Sequence, residues 1–191
     1  VRTAIAPEPS IALPSYVKDL ELAIGNDLHL LELVRTSPSS SEALMQSYIA
    51  SFYSPEKTID QIVKDCCAFI FTDFTYIKGI TTIETTVDEI VAQKAGVCQD
   101  FAHLMLALCR SLGIPSRYVS GYLYDAQRGG LRGAHESHAW VEVYLPGRGW
   151  LGFDPTNRQI VNECYVTLAA GLDYEDAAPV KGSFVGAGTR T

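Results

Sequence analysis

The sequence predicts an α+β fold, because one segment has the pattern of a buried helix and a later segment has the pattern of a β-hairpin. The run from Phe101 to Leu112 is apolar almost throughout and is followed by Gly113 and Pro115, residues that commonly end a helix. Residues 138–145 alternate between two side-chain faces, as a half-buried strand does. At 191 residues the chain is long enough to enclose one hydrophobic core.

The N-terminal third predicts short helices that follow an extended, proline-containing segment. Residues 16–35 carry apolar side chains at helical intervals, and Gly25-Asn26-Asp27 is the expected break between two turns of helix. A further helix is predicted from Ser41 to about Phe52. We therefore expect an N-terminal helical extension over residues 1–53.

A longer helix is predicted from Ser54, with Pro55 at its first helical position, to about Phe71. This helix opens the expected core of the chain, which we assign to residues 54–191 and expect to form one compact unit with the extension. The chain begins with Val1 rather than methionine, so we expect it to be part of a longer protein.

Cys98 is the first candidate for catalysis, because it stands at the expected start of the central helix. Gly96 breaks the chain just before it, and the apolar run begins three residues after it. At a helix start, unpaired backbone N–H groups and the positive end of the helix dipole favour a thiolate. The alternative is a buried core thiol, which is a common state for a free cysteine.

His138 and Asp154 lie on the two strands of the predicted hairpin. Residues 146–149 form its turn, and pairing outward from that turn brings residue 138 close to opposite residue 154, on the same face of the sheet. An aspartate beside a histidine can hold one ring nitrogen and direct the other at a thiol. An ordinary surface contact is the alternative, but together with Cys98 the pair favours an activated-thiol enzyme.

Four segments of the chain resemble bacterial transglutaminase-like proteins. The match spans roughly residues 60–160 and weakens towards the C-terminus; its segments are Gly96–His103, Leu112–Tyr122, His138–Tyr144 and Phe153–Asn157. The resemblance implies a papain-like arrangement, in which the cysteine helix packs on an antiparallel sheet. It also implies that Cys98 is the nucleophile, His138 the general base and acid, and Asp154 the orienting carboxylate, with no cofactor and no metal.

Two residues are weaker candidates for stabilising an oxyanion. The backbone N–H of Gln99, or that of Cys98 itself, lies at the expected helix start, where it can donate to a developing negative charge. Tyr76 lies upstream, where some members of the resembled family carry an aromatic oxyanion donor, although a packing role is the alternative. His103 lies about 140° around the helix from Cys98 and is expected to be structural. His135 is expected to be an inert loop residue.

The candidate triad predicts thiol-dependent hydrolysis of amide or peptide bonds through a thioester intermediate. The alternatives are acyl transfer to an amine, as in transglutaminases, a catalytically inactive interaction module, and a zinc site formed by the three triad residues. Trp140 and Trp150 have the strand parity to line an amine-accepting surface. Hydrolysis requires nothing beyond the triad, so we favour it.

The composition agrees with a compact soluble enzyme domain, and the candidate triad leads us to expect a peptide or protein as its partner. A net charge of −7 and a pI of about 5.0 argue against nucleic acid as a partner. No apolar run is long enough to predict a membrane span. The five cysteines, an odd number, favour a reducing compartment, and we expect a cytoplasmic location. Nothing in the sequence indicates an oligomeric state.

Overall fold

A computed structural model of the protein describes residues 2–3, 15–25, 27–35, 40–125, 130–134 and 136–178. A short 3₁₀ turn, Val17–Asp19, precedes the first helix. The helices are α1 (Leu20–Gly25), α2 (Leu28–Glu32), α3 (Glu42–Phe52), α4 (Ile59–Asp73), α5 (Val87–Gln93), α6 (Cys98–Ser111) and α7 (Tyr174–Ala177). The strands are β1 (Arg2–Thr3), β2 (Thr75–Tyr76), β3 (Ala95–Gly96), β4 (Ser116–Leu123), β5 (Ser137–Leu145), β6 (Gly149–Asp154), β7 (Gln159–Ile160) and β8 (Tyr165–Gly171).

The larger sheet is antiparallel, and within the described residues its strand order is β1-β8-β4-β5-β6-β7. Strands β2 and β3 form a separate, two-stranded parallel pair. The prediction of an α+β fold with an antiparallel sheet is therefore confirmed.

Helix α6 lies at the centre of the molecule and packs against β4 and β5. Phe101, Leu104, Met105 and Leu108 of this helix are almost completely inaccessible to solvent. Its C-terminal end passes into Gly113, whose φ of +71° is the left-handed conformation that favours glycine after a helix. A helix that is apolar nearly all round is buried, as the sequence predicts.

The N-terminal helices contribute to the same core as α6. The predicted helical region after residue 16 is confirmed as α1 and α2, and the predicted helix from Ser41 to Phe52 is confirmed as α3. The core residues that these segments supply are Leu20, Met45, Ile49 and Phe52. The boundary at residue 53 stays a prediction. No helix in the described ranges is long and apolar enough to cross a membrane.

The predicted start of α4 at Ser54 is wrong, because the helix begins at Ile59 and runs to Asp73. The Ser54 carbonyl instead accepts a hydrogen bond from the Lys57 N–H in a turn. Thr58 is the N-cap, and its N–H donates to the side chain of Gln61 at 3.0 Å. This capping interaction fixes the start of the helix after the proline rather than at it.

The predicted hairpin is confirmed as β5 and β6, but its register differs by two residues. Val141 pairs with Phe153, so continuing the ladder places Trp140, and not His138, opposite Asp154. The difference arises because Gly149 already pairs with Leu145 and belongs to the strand rather than to the turn. His138 is diagonal to Asp154 and on the same face.

Candidate active site

The start of α6 is fixed by the buried carboxylate of Asp100. Its Oδ2 accepts hydrogen bonds from the Val97 N–H at 2.7 Å and from the Thr81 hydroxyl at 2.6 Å. A β-carbon on Gly96 would lie only 2.7 Å from the same oxygen, so the chain needs glycine there. These contacts hold Cys98, which is half-buried, as the first residue of the helix.

Tyr76 and Gln99 both lie close to Cys98. Tyr76 pairs with Gly96 in the β2–β3 ladder, and its half-buried ring packs near Phe101. Burial, followed by the electrostatic effect of nearby Cys98, raises the pKa of Tyr76 to about 12, so the hydroxyl keeps its proton at neutral pH. Gln99 is the second residue of α6, and its backbone N–H belongs to the unpaired first turn.

His138 and Asp154 are hydrogen-bonded and fully buried. Nε2 of His138 and Oδ2 of Asp154 are 2.9 Å apart, and both side chains are 0% exposed. The other ring nitrogen, Nδ1, is also buried and makes no well-formed hydrogen bond to any described residue. The Cys98 thiol nevertheless lies near enough to this ring to act on the pKa of His138. The structure thus brings the three predicted site residues together.

Five donor groups surround the Asp154 carboxylate. Oδ1 accepts from the backbone N–H groups of Thr156 at 2.8 Å and Asn157 at 3.3 Å. Oδ2 accepts from Asn157 Nδ2 at 2.8 Å and from the Tyr165 hydroxyl at 2.7 Å, in addition to His138. These donors occupy the lone pairs of both oxygens, which disfavours Asp154 as a zinc ligand. The described residues contain no cluster of three or more potential metal ligands.

The hydrogen bonds of this site favour a carboxylate beside an imidazolium. Burial disfavours the charged form of Asp154, but hydrogen bonds from His138, Asn157 and Tyr165 outweigh it and lower the pKa of that carboxyl. Burial likewise opposes protonation of His138, yet its hydrogen bond with Asp154 and the nearby Cys98 thiol raise its pKa to about 9. At neutral pH the pair is therefore ionic.

The segment before β5 lies against the imidazole of His138. A β-carbon on Gly133 would lie 2.6 Å from Nδ1 of His138, and the φ of Gly133 is +75°. The Asn157 side chain holds the neighbouring Arg132 by accepting from its N–H at 2.8 Å and donating to its carbonyl at 3.0 Å. The glycine-rich run before the histidine strand was the available signal.

His103 and Trp140 both pack against aromatic neighbours. Tyr118 packs against the His103 ring, whose Nε2 is buried without a hydrogen-bond partner among the described residues. His135 lies outside the described residues. Trp140 is 0% exposed and packs with Val119, Leu123, Val161 and Tyr165. The prediction that Trp140 lines an amine-accepting surface is therefore wrong, because no part of its ring is accessible.

With this fold and this arrangement of residues, the chain belongs to the transglutaminase-like superfamily, whose family model matches residues 46–155. The resemblance inferred from the sequence motifs is thereby confirmed. The family contains both thiol hydrolases and acyl-transferring enzymes, so membership does not by itself identify a reaction.

Comparison with known proteins finds relatives in two bacteria. An uncharacterised protein of Mycobacterium tuberculosis is 39% identical over 153 residues, which cover 76% of this chain and 49% of that protein. A protein-glutamine gamma-glutamyltransferase of Pseudomonas aeruginosa is 38% identical over 101 residues, which cover 49% of this chain and 15% of that protein. The chain thus spans about half the length of its mycobacterial relative.

A solved structure supports the fold as well. A protein from Cytophaga hutchinsonii, described as a candidate cysteine protease, has 31% sequence identity and a TM-score of 0.67. The match covers 80% of this chain and 50% of the other. The whole transglutaminase-like core, rather than a single motif, is therefore shared.

Proposed function

We propose that this chain hydrolyses amide or peptide bonds through a covalent thioester on Cys98. The observation that carries the proposal is the buried 2.9 Å hydrogen bond between His138 Nε2 and Asp154 Oδ2, which leaves Nδ1 for the thiol. A cysteine at a helix start, next to an imidazole that a carboxylate orients, is the constellation of an activated thiol. An interaction module would not require it.

In this mechanism the Cys98 thiolate attacks the carbonyl carbon and forms a tetrahedral intermediate. The imidazolium of His138 then gives its proton to the leaving amine nitrogen as the C–N bond breaks, which produces a thioester. The neutral imidazole next removes a proton from water, which attacks the thioester and releases the acid and the thiol. Asp154 remains ionised throughout and stabilises the imidazolium.

The oxyanion of the tetrahedral intermediate is expected to accept hydrogen bonds at the start of α6. The backbone N–H groups of Cys98 and Gln99 are unpaired within the helix, and the positive end of the helix dipole lies there. The proximity of Tyr76 to Cys98, and a raised pKa that keeps its hydroxyl protonated, support it as an additional donor.

Acyl transfer to an amine is the second candidate function, and the similarity to the Pseudomonas aeruginosa glutamyltransferase favours it. Transfer requires an amine to compete with water at the thioester, which calls for an apolar acceptor channel. Of the two tryptophans considered for such a channel, only Trp150 is partly exposed, and Arg117 stacks on its ring at 4.3 Å. We therefore favour water as the acceptor.

Alkylation by iodoacetamide tests the activated thiol, and Cys164 provides a matched control. Both thiols are half-buried, whereas Cys66, Cys67 and Cys109 are buried. At pH 6 we expect rapid labelling of Cys98 and slow labelling of Cys164, measured by peptide mass spectrometry over time. Equal rates at the two thiols would overturn the proposal and favour an inactive module.

Turnover then separates the two acyl acceptors. A glutamine-containing peptide is incubated with a fluorescent primary amine, and released ammonia, cleaved peptide and incorporated fluorophore are measured together. We expect hydrolysis to exceed incorporation in the wild type and in Cys164→Ala, and both to vanish in Cys98→Ala. Stable incorporation above hydrolysis would instead assign the chain to amine transfer. The cytoplasmic location also stays a proposal, resting on the five free cysteines.

A further inference from the structure

Arg132 carries a positive charge that no anion balances within the part of the chain that the structure describes. Its guanidinium carbon lies 4.4 Å from the centre of the Phe71 ring, on which the group stacks. One of its terminal nitrogens, Nη1, is buried and has no hydrogen-bond partner among the described residues. A buried N–H donor that is left unpaired costs free energy, so its retention requires a reason.

The position of Arg132 is tied to the candidate triad. The Asn157 side chain binds both the N–H and the carbonyl of Arg132, and its Nδ2 also donates to Asp154. The next residue, Gly133, lies against the Nδ1 edge of the His138 ring. The main chain of Arg132 is therefore fixed next to the residue that contacts the imidazole.

The charge of Arg132 and the Cys98 thiol both act on the hydroxyl of Tyr76. The Tyr76 hydroxyl lies within electrostatic reach of both, since burial and Cys98 raise its pKa whereas Arg132 lowers it. The nearby acid Glu136 is bound to Lys78 at 2.7 Å, and both of those side chains are more than half exposed. The Arg132 guanidinium therefore lies within electrostatic reach of the hydroxyl that the Cys98 thiol also affects, in a chain whose net charge is −7.

We propose that Arg132 is a substrate-binding residue that binds a carboxylate of the substrate next to the scissile amide. The planar guanidinium presents paired N–H donors that match the two oxygens of a carboxylate, and the stacking on Phe71 holds the group in one orientation. The proposal rests on the proposed function of Cys98, because it defines the substrates as acidic peptides. The carboxylate comes either from an acidic side chain or from a peptide C-terminus.

A pair of alkylating reagents tests this proposal without any turnover. Iodoacetate and iodoacetamide have nearly the same size, but only iodoacetate carries a carboxylate. The ratio of their second-order rates at Cys98 is compared in the wild type, Arg132→Gln and Lys78→Gln. Lys78→Gln removes the same charge from a neighbouring site, and Arg132→Gln preserves the main-chain atoms that Asn157 binds.

We expect the iodoacetate-to-iodoacetamide ratio to fall at least tenfold in Arg132→Gln and to change less than twofold in Lys78→Gln. An unchanged ratio in Arg132→Gln would overturn the proposal. An equal fall in both variants would also overturn it, since the loss of any nearby positive charge, rather than of a specific contact with Arg132, would then explain the slower reaction of iodoacetate. If Arg132→Gln slowed alkylation of Cys98 equally with both reagents, the proposal would be wrong, because Arg132 would then stabilise the thiolate rather than bind the substrate.

Succinate binding to the unmodified protein tests whether Arg132 binds a carboxylate. This test applies even if Cys98 is unreactive or Arg132→Gln fails to fold. We expect succinate, but not its diamide succinamide, to shift the Arg132 Nε–Hε signal in NMR saturably. No saturable shift would overturn the carboxylate site, whereas a shift with an inert Cys98 would overturn only the proposed function.

Peptide pairs then identify the source of the carboxylate. One pair differs by Glu or Gln beside the scissile amide, and the other by a free or an amidated C-terminus. We expect kcat/KM to favour one acid at least tenfold in the wild type and to lose that preference in Arg132→Gln. Equal rates within both pairs would exclude a substrate carboxylate at Arg132.

Discussion

His138 and Asp154 are joined by a 2.9 Å hydrogen bond although they are not direct partners in the hairpin. The ladder that pairs Val141 with Phe153 continues to Trp140 opposite Asp154, so the imidazole reaches the carboxylate diagonally. Diagonal neighbours on one sheet face lie within reach of long side chains. Because this bond uses Nε2, the second ring nitrogen, Nδ1, remains available to interact with the Cys98 thiol.

The charge state of this pair predicts how stability depends on pH. The pKa of His138 is raised to about 9 in the folded protein, from an ordinary value near 6.5, so its stabilisation is complete below about pH 6.5. We expect the free energy of unfolding to fall by roughly 1–3 kcal/mol as the pH rises through 9. Urea denaturation between pH 6 and pH 10 measures this loss, which should be absent in His138→Gln. A fall of the same size in that variant would contradict the assignment.

Much of this site follows from local sequence patterns, but the surroundings of Asp154 do not. The apolar run after Cys98 and the alternation after His138 predict α6 and β5, because each pattern reports the burial of one local element. Tyr165 reaches Asp154 only because β8 crosses the sheet to pair with β4, and a single sequence does not reveal that pairing.

Other features carried a local signal that the sequence interpretation did not use. Thr86 and Glu89 form a capping box at the start of α5, a helix that was not predicted. Asn157 was part of a recognised motif, but its bonds to Asp154 and Arg132 depend on how the chain turns after β6. Side-chain contacts between separate loops have no sequence period, so patterns do not predict them.

Replacing Asp154 with Asn should reduce activity without removing it. The nucleophile remains, but the imidazolium loses its counter-charge, and we expect kcat to fall by about 10²–10⁴-fold. The pKa of His138 should also fall, which the NMR titration of its ring protons measures. Cys98→Ala should eliminate turnover altogether.

Asp173→Asn is the matched control for this substitution. Asp173 caps α7 through a side-chain oxygen that accepts from Glu175 and Asp176, and asparagine caps helices equally well. We expect normal activity and stability in this variant. Full activity in Asp154→Asn would make Asp154 a structural residue and reduce the triad to a Cys98–His138 dyad.

Gly133→Ala should impair activity more than Gly130→Ala. Both glycines have positive φ, +75° and +85°, so alanine strains the backbone at either position by about 1 kcal/mol. A β-carbon at residue 133 would lie 2.6 Å from His138 Nδ1, whereas none at residue 130 would meet an atom within 4 Å. The added methyl group should therefore displace the imidazole only in Gly133→Ala.

The comparison of these two variants uses kcat/KM together with thermal unfolding. We expect a larger decrease in Tm for Gly133→Ala than for Gly130→Ala, and a decrease in kcat/KM of at least tenfold for Gly133→Ala alone. Equal kcat/KM in the two variants would contradict this prediction, because it would show that activity depends on the backbone conformation of this segment and not on its contact with His138.

Asn157→Asp should weaken the site because it replaces a donor with a second negative charge. Asn157 Nδ2 donates to Asp154 Oδ2 at 2.8 Å and to the Arg132 carbonyl at 3.0 Å, and a carboxylate oxygen would repel both acceptors. We expect a loss of about 2–4 kcal/mol in the free energy of unfolding and a higher pKa for Asp154.

Asn162→Asp provides the control for this last substitution, because among the described residues the Asn162 side chain makes one hydrogen bond, in which its oxygen accepts from the Cys164 N–H at 2.9 Å. An aspartate retains that oxygen, so stability should change by less than about 0.5 kcal/mol. Acidification should partly restore the stability of Asn157→Asp, since protonation of the introduced carboxylate returns one donor. Urea denaturation between pH 4 and pH 7 tests this, and a variant that is equally unstable throughout would assign Asn157 to packing alone.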